Sequence, residues 1–166
     1  AICMIICTIP ITANAMDIFV DFNISGITKM RLGVESGDSI DNVKEKITKK
    51  TNIDINKQEL YFNGKRLQDD RTLADYNICK ESTIALEITP TEVSSSDELT
   101  KAANHGGIIK LNNNIECGEI QIKVNNFIVL DLNGKTIKNN TNYYTISVDG
   151  SAFLAITDSA VGGRLE

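Results

Sequence analysis

Tryptophan is absent from this 166-residue chain, histidine occurs once and proline twice. A cysteine nucleophile needs a nearby base, and His105 is the one histidine that could serve. It stands in Asn104-His105-Gly106-Gly107, which reads as a helix end rather than a catalytic loop. Basic charge is not in excess: the net charge is −5, spread over both halves, so no basic face for nucleic acid is expected. Beyond residue 11 no run approaches the roughly 20 apolar residues that a membrane-crossing helix needs. Of four cysteines, Cys79 and Cys117 lie far apart with no metal-ligand spacing. A bridge between them requires close Cα atoms and is not expected. No paired-acid motif is evident, and no cofactor or metal is expected. With 42% hydrophobic and 23% charged residues, the chain has the composition of one or two small soluble domains.

Residues 1–11, AICMIICTIPI, carry no charge. They are too short to cross a bilayer and suit the apolar part of a secretory signal, which takes about 7–15 residues. Ala13-Asn14-Ala15 supplies the Ala-x-Ala pattern that signal peptidase accepts. Cleavage after Ala15 would make Met16 the new N-terminus. No initiator methionine or basic leader precedes Ala1, so the chain is expected to be truncated at its start. The resulting expectation is an N-terminal signal over 1–15, an extracellular or cell-surface address and no membrane span after cleavage.

Residues 16–88 alternate two kinds of pattern. Met16, Ile18 and Val20 recur with period two, as do Met30, Leu32 and Val34, with Asn23-Ile24-Ser25-Gly26 as turn chemistry between them. That predicts a hairpin. Ser39 is a candidate N-cap, Asp41 lies in the first turn, and Ile40, Val43 and Ile47 form one helical face. Lys44, Lys46, Lys49 and Lys50 read as a solvated face, and Asn52 as a left-handed stop. Leu60-Tyr61-Phe62 is a short strand before an Asn63-Gly64 turn. Leu67, Leu73 and Ile78 add core, and Ile84, Leu86 and Ile88 form a last strand. This order gives an α+β domain with one helix across one sheet face.

The stretches MDIFV, DSIDNVKEKI and LYFNGKRLQDDRTLADYNICKEST resemble the ubiquitin family along the whole of 16–88. The resemblance implies a β-grasp fold with a buried first methionine, and a hairpin longer by about two residues than the family's. It also implies a recognition face, with Tyr61 in place of the family's isoleucine, Ala85 of its histidine and Glu87 of its valine. The loop leucine falls near Asn23 or Ile24, and basic flanking positions become Glu59 and Thr89. A carboxylate at Glu87 would be costly to bury in an apolar interface, so typical ubiquitin receptors are expected to bind weakly or not at all. Lys65 and Lys80 match two chain-linking lysines but read as ordinary surface lysines. Glu87-Ile88-Thr89-Pro90-Thr91 runs on into further chain without a terminal glycine pair, so conjugation is not expected. Gly106-Gly107 and Gly162-Gly163 read as turns.

Thr89 to Ser96 reads as a polar linker with one proline. In 97–166, Ser95 and Glu98 offer a capping box for a brief helix with Leu99, Ala102 and Ala103 on one face, stopped at Gly106-Gly107. Short apolar strands follow: GIIKL, EIQIKV, FIVLDL, KTI, YTISV and FLAIT, separated by turns rich in Asn and Gly. Such a pattern suits a sandwich or a parallel β-helix. Asn turns that can stack as ladders, and a helix placed to cap a solenoid end, favour the β-helix. IIKLNNNI, LDLNGKTI and LAITDSAVGG resemble the pectate-lyase-like right-handed parallel β-helix superfamily, in forms that recur in secreted proteins of low-GC Gram-positive bacteria. The pattern stops mid-repeat, and further coils are expected beyond Glu166.

The function expected from these readings is a secreted bacterial, non-enzymatic ubiquitin-like binding module on a β-helix, with a protein or glycan partner and Tyr61 as aromatic anchor. One alternative is an accessory module of a polysaccharide lyase or hydrolase whose site lies beyond residue 166. Asp131, Asp149 and Asp158 are the acids at hand for it, and each reads as a turn or strand residue. Another is a mimic that interferes with a host's ubiquitin pathway.

Overall fold

The computed structural model describes residues 15–166, apart from 25, 28, 123–125 and 141–145. Ala13 and the apolar segment before it therefore lie outside the described residues. Strands β1 (Ala15–Asp21) and β2 (Met30–Glu35) form the expected hairpin. Helix α1 (Ile40–Thr51) follows, then β3 (Gln58–Phe62), β4 (Lys65–Arg66) and β5 (Thr83–Ile88). The five strands make one sheet in the order β2-β1-β5-β3-β4, with β1 and β5 parallel at its centre. That is the β-grasp arrangement that the resemblance implies.

The local causes match the sequence pattern. Ser39 Oγ accepts the Asn42 N–H at 3.2 Å, and Asn52 closes α1 in the left-handed region at φ 59°. Ile40, Val43 and Ile47 are fully buried against Ile18, Val20, Leu32, Leu60, Ile84 and Leu86. Met16 is half-buried at the edge of this core. Ala15 pairs with Glu35, so the bond after Ala15 lies inside a paired strand once the chain has folded. Of the α1 lysines expected on a solvated face, Lys49 and Lys50 are exposed, but Lys44 and in part Lys46 are not. Lys44 is buried and its ammonium reaches Asp69 at 2.6 Å. Lys46 pairs with Asp38, and Lys50 donates to the Arg31 carbonyl at 2.9 Å. The long lysine stems cover apolar surface while their heads find partners.

Residues 89–96 are not a slack linker. The Thr89 N–H donates to the Lys57 carbonyl at 2.9 Å. Strand β6 (Thr91–Val93) pairs in parallel with β7 (Gly107–Leu111), and Val93 is buried. A single apolar residue in a polar stretch carries too little pattern to mark a strand. Helix α2 (Ser96–Ala103) lies between them, with Ser95 Oγ accepting the Glu98 N–H at 3.3 Å. Glu98 returns its carboxylate to the Ser94 N–H at 2.7 Å, one residue earlier than a regular capping box.

The rest is all strand. After β7 come β8 (Ile115–Cys117), β9 (Ile120–Ile122), β10 (Phe127–Asp131), β11 (Thr136–Asn139), β12 (Ile146–Val148), β13 (Phe153–Thr157) and β14 (Arg164–Leu165). They sort into three separate sheets of orders β13-β10-β7-β6, β14-β11-β8 and β12-β9, with every pair parallel. Parallel pairing rules out the antiparallel sandwich. Side chains in the turns reach across successive strands: Asn133 Nδ2 donates to the Leu111 carbonyl at 2.9 Å, and Asn114 Oδ1 accepts the Thr136 N–H at 2.9 Å. Ile109, Leu111, Ile128, Leu130 and Ile137 form a second core, which Leu99 and Ala103 of α2 join.

The two halves share their packing. Every residue of β10 is buried. Ile128 and Leu130 face the second core, whereas Phe127 and Val129 join the first. This explains the unbroken apolar run FIVLDL, since a strand covered on both faces needs no polar alternation. The Phe22 ring stacks on Phe127 with centroids 4.4 Å apart, and Phe127 stacks on Phe153 at 4.9 Å. Behind this ladder, Ile53 and Gly106 form a parallel bridge, with the Gly106 N–H donating to the Asn52 carbonyl at 2.9 Å. Asn52 Nδ2 donates to Asn126 Oδ1 at 2.9 Å, and Asn126 Nδ2 to the Ala103 carbonyl at 3.0 Å. The end of α1 is thus tied to the end of α2 and to the start of β10.

Candidate interaction surface

Strands β1, β3 and β5 bury alternate residues under α1 and turn the others to the opposite face. The three positions singled out in the sequence share that face. Tyr61 on β3 stands directly across from Ala85 on β5, and Glu87 stands across from Glu59. Tyr61 and Ala85 are half-buried and Glu87 is exposed. The two-residue Asn63-Gly64 turn, with both residues at positive φ, folds β4 back so that Arg66 is opposite Tyr61.

These residues form a small polar network. The Tyr61 hydroxyl donates to Glu59 Oε2 at 2.9 Å, and Arg66 Nη2 donates to Glu59 Oε1 at 2.8 Å. The hydrogen bond to Glu59, then partial burial, then the charges of Glu59 and Glu87 raise the Tyr61 phenol above its ordinary pKa. The phenol therefore stays a neutral donor throughout the physiological range. Arg66 was not anticipated as a member of this face. Its place was readable, because a two-residue Asn-Gly hairpin fixes the register of the flanking strands.

The other family-matched positions do not extend an apolar patch. Ile24 packs on the first core and Asn23 is exposed. Lys65 sits 5.5 Å above the Tyr76 ring. On β1, Asp17 pairs with Arg31, whose hydrogen bond holds its carboxyl below the ordinary range. Asp21 lies 3.6 Å from Lys29.

The carboxylates of Asp131 and Asp158 are occupied by backbone N–H groups. Asp131 Oδ1 accepts the N–H groups of Asn133 at 3.0 Å and Ser159 at 2.8 Å. Burial alone would raise its carboxyl, but Ser159, Asn133 and Lys110 together hold it below its usual value. Asp158 accepts from Gly134 at 2.6 Å and Gly163 at 2.8 Å, and these N–H groups hold its carboxyl low. Asp149 lies at a turn, where its carbonyl accepts the Ala152 N–H at 3.2 Å. Among the described residues no group of three His, Cys, Asp or Glu is arranged to hold a metal ion. Cys79 is exposed, Cys117 is buried, and both are free thiols. No helix of the described residues is long and apolar enough to cross a membrane.

Residues 18–91 match the family model described as the ubiquitin family. The chain is 35% identical over 83 residues to the ubiquitin domain-containing protein 7SL RNA2 of Arabidopsis thaliana, a match covering 49% of this chain and 31% of that protein. It is 33% identical over 73 residues to ubiquitin-like protein 4A of Danio rerio, covering 43% and 46%. It is 30% identical over 70 residues to the UV excision repair protein rhp23 of Schizosaccharomyces pombe, covering 42% and 19%. In each case the matched stretch spans less than half of the relative's length. The chain thus carries a ubiquitin-like domain homologous to those of ubiquitin-domain proteins.

Proposed function

We propose that this chain is a non-enzymatic binding protein whose ubiquitin-like domain offers the outer face of its sheet to a protein partner. The observation that carries this reading is the Tyr61–Glu59–Arg66 network. It holds the aromatic ring in place before any partner arrives, with the phenol proton committed to Glu59 and the phenol oxygen left as an acceptor. Rigid aromatic anchors lose little entropy on binding and recur among interface hot spots. Use of the domain as a conjugated tag finds no support, because Ile88 leads through Thr89 and Pro90 straight into β6. Conjugation needs a free, flexible terminal carboxylate.

We read the β-rich half as coils of a parallel β-helix. Its three parallel stacks, and the Asn side chains bridging turns of neighbouring coils, support that architecture. It would serve as the stem that holds the binding face. The whole chain is the proper bait for a test, because Phe127 and Val129 complete the core of the ubiquitin-like domain. Tyr61→Ala is expected to weaken capture of its partner by about 2 kcal/mol without changing the melting temperature much. Undiminished capture by that variant would remove Tyr61 as the anchor.

Delivery outside the cell, as in a secreted bacterial protein, remains part of this proposal on the strength of the apolar lead segment and its Ala-x-Ala. The bond after Ala15 lies within β1, so cleavage would have to precede folding. The mass of the protein recovered from culture medium should correspond to a chain beginning at Met16. A chain retaining Ala1 would end the secretory reading.

A further inference from the structure

We propose that the outer sheet face accepts a cationic side chain of a protein partner, a guanidinium or an ammonium, beside Glu87. This rests on the reading that this face is the binding surface, and it names the chemistry of what binds there.

Glu59 and Glu87 are direct partners across β3 and β5. Like charges placed opposite each other repel, and the chain compensates only one of them. Both oxygens of Glu59 are taken, one by Arg66 and one by the Tyr61 hydroxyl. Glu87 is exposed, and its carboxylate makes no hydrogen bond or ion pair among the described residues. The remaining carboxylates that β1 turns to this face have cations at hand, Asp17 with Arg31 and Asp21 with Lys29. Glu87 is therefore the uncompensated charge on β1, β3 and β5.

Its surroundings suit a cation with an apolar stem. Ala85, two residues away on the same face, contributes only a methyl group, and the register sets Glu87 diagonal to Tyr61, a separation that long side chains span. The Tyr61 ring stands across from Ala85 and offers a π face to a nearby cation. An incoming guanidinium would gain Glu87 directly and relieve its repulsion from Glu59. A purely apolar partner would instead strip water from Glu87 with nothing in return, which is costly. Charge complementarity thus selects a basic segment over an apolar one.

The test is an NMR titration of the whole chain with an octapeptide of alternating arginine and leucine. A second peptide carries citrulline, the neutral isostere, in place of arginine. The amides of Tyr61, Ala85 and Glu87 are expected to shift with the arginine peptide. Binding should weaken roughly ten-fold, the equivalent of about 1.4 kcal/mol, both in Glu87→Gln and with the citrulline peptide. Asp149→Asn, which changes the net charge equally in the other half, should leave it unchanged. Equal binding by Glu87→Gln, equal loss in Asp149→Asn, or shifts confined to other surfaces would overturn the proposal. If Tyr61→Ala still impairs capture of a partner while Glu87→Gln does not, the cation is excluded and the binding face stands. If neither variant matters, both readings fall.

Discussion

A Gly106→Ala substitution is expected to destabilise the chain by about 3 kcal/mol, at the upper end of what overpacking costs. Gly106 is buried where the end of α2 meets the end of α1. A Cβ built there would stand 2.2 Å from the Thr51 carbonyl oxygen, and 2.8 Å from both Asn52 C and Ile53 N. All three are backbone atoms, so no side chain can swing aside to make room. The glycine backbone itself lies outside the left-handed region, so alanine would be conformationally acceptable and the penalty is purely steric. Relief requires the two halves to separate there, with loss of the Gly106–Asn52 hydrogen bond and of the Asn52–Asn126 pair. Thermal unfolding followed by circular dichroism should show a lower midpoint and a broadened or split transition. A variant within about 0.5 kcal/mol of the parent would mean that α1 and Gly106 do not meet.

Phe127→Ala is expected to cost about 3–5 kcal/mol, the range for emptying an aromatic site in a core. The ring is 8% exposed and lies between two others, Phe22 on one side and Phe153 on the other. Its removal leaves a gap in the first core while cutting the aromatic link between halves. Phe153→Ala should cost less, because Phe153 is 41% exposed. A double-mutant cycle on Phe22 and Phe127 should return a coupling of about 0.5–1.5 kcal/mol. Urea denaturation measures each term. A loss below about 1 kcal/mol for Phe127→Ala would show that the ring is not enclosed.

The first half was legible because its signals are local. Period-two alternation, a Ser39 cap and an Asn52 stop depend on neighbours within a few residues, and each sits where the pattern puts it. Lys44 escaped because a lysine among lysines looks solvated, while its burial depends on Asp69, 25 residues away. Gly106 was readable as a helix end but not as a contact for residues 51–53, since nothing local marks which backbone will lie against it. FIVLDL read only as one short apolar strand among several, and the fold shows that it is covered on both faces, one of the covers being the ubiquitin-like core. At the candidate site, alternation put Glu59 with Tyr61 and the Asn63-Gly64 turn put Arg66 beside them. The pairing of Glu59 with Glu87 needed the strand register, which residues far apart in the chain determine.

These contacts make the ubiquitin-like domain a fixed part of a larger unit rather than a module on a tether. Its outer face is then held at a constant angle to the β-rich half. Hydrogen–deuterium exchange of the intact chain under native conditions tests this most directly. The buried amides of β3 and β5 in one half and of β10 in the other are expected to open with free energies equal to within about 1 kcal/mol, as one cooperative unit does. Opening of the β3 and β5 amides well below those of β10, or the reverse, would show two independently opening domains and contradict the shared core.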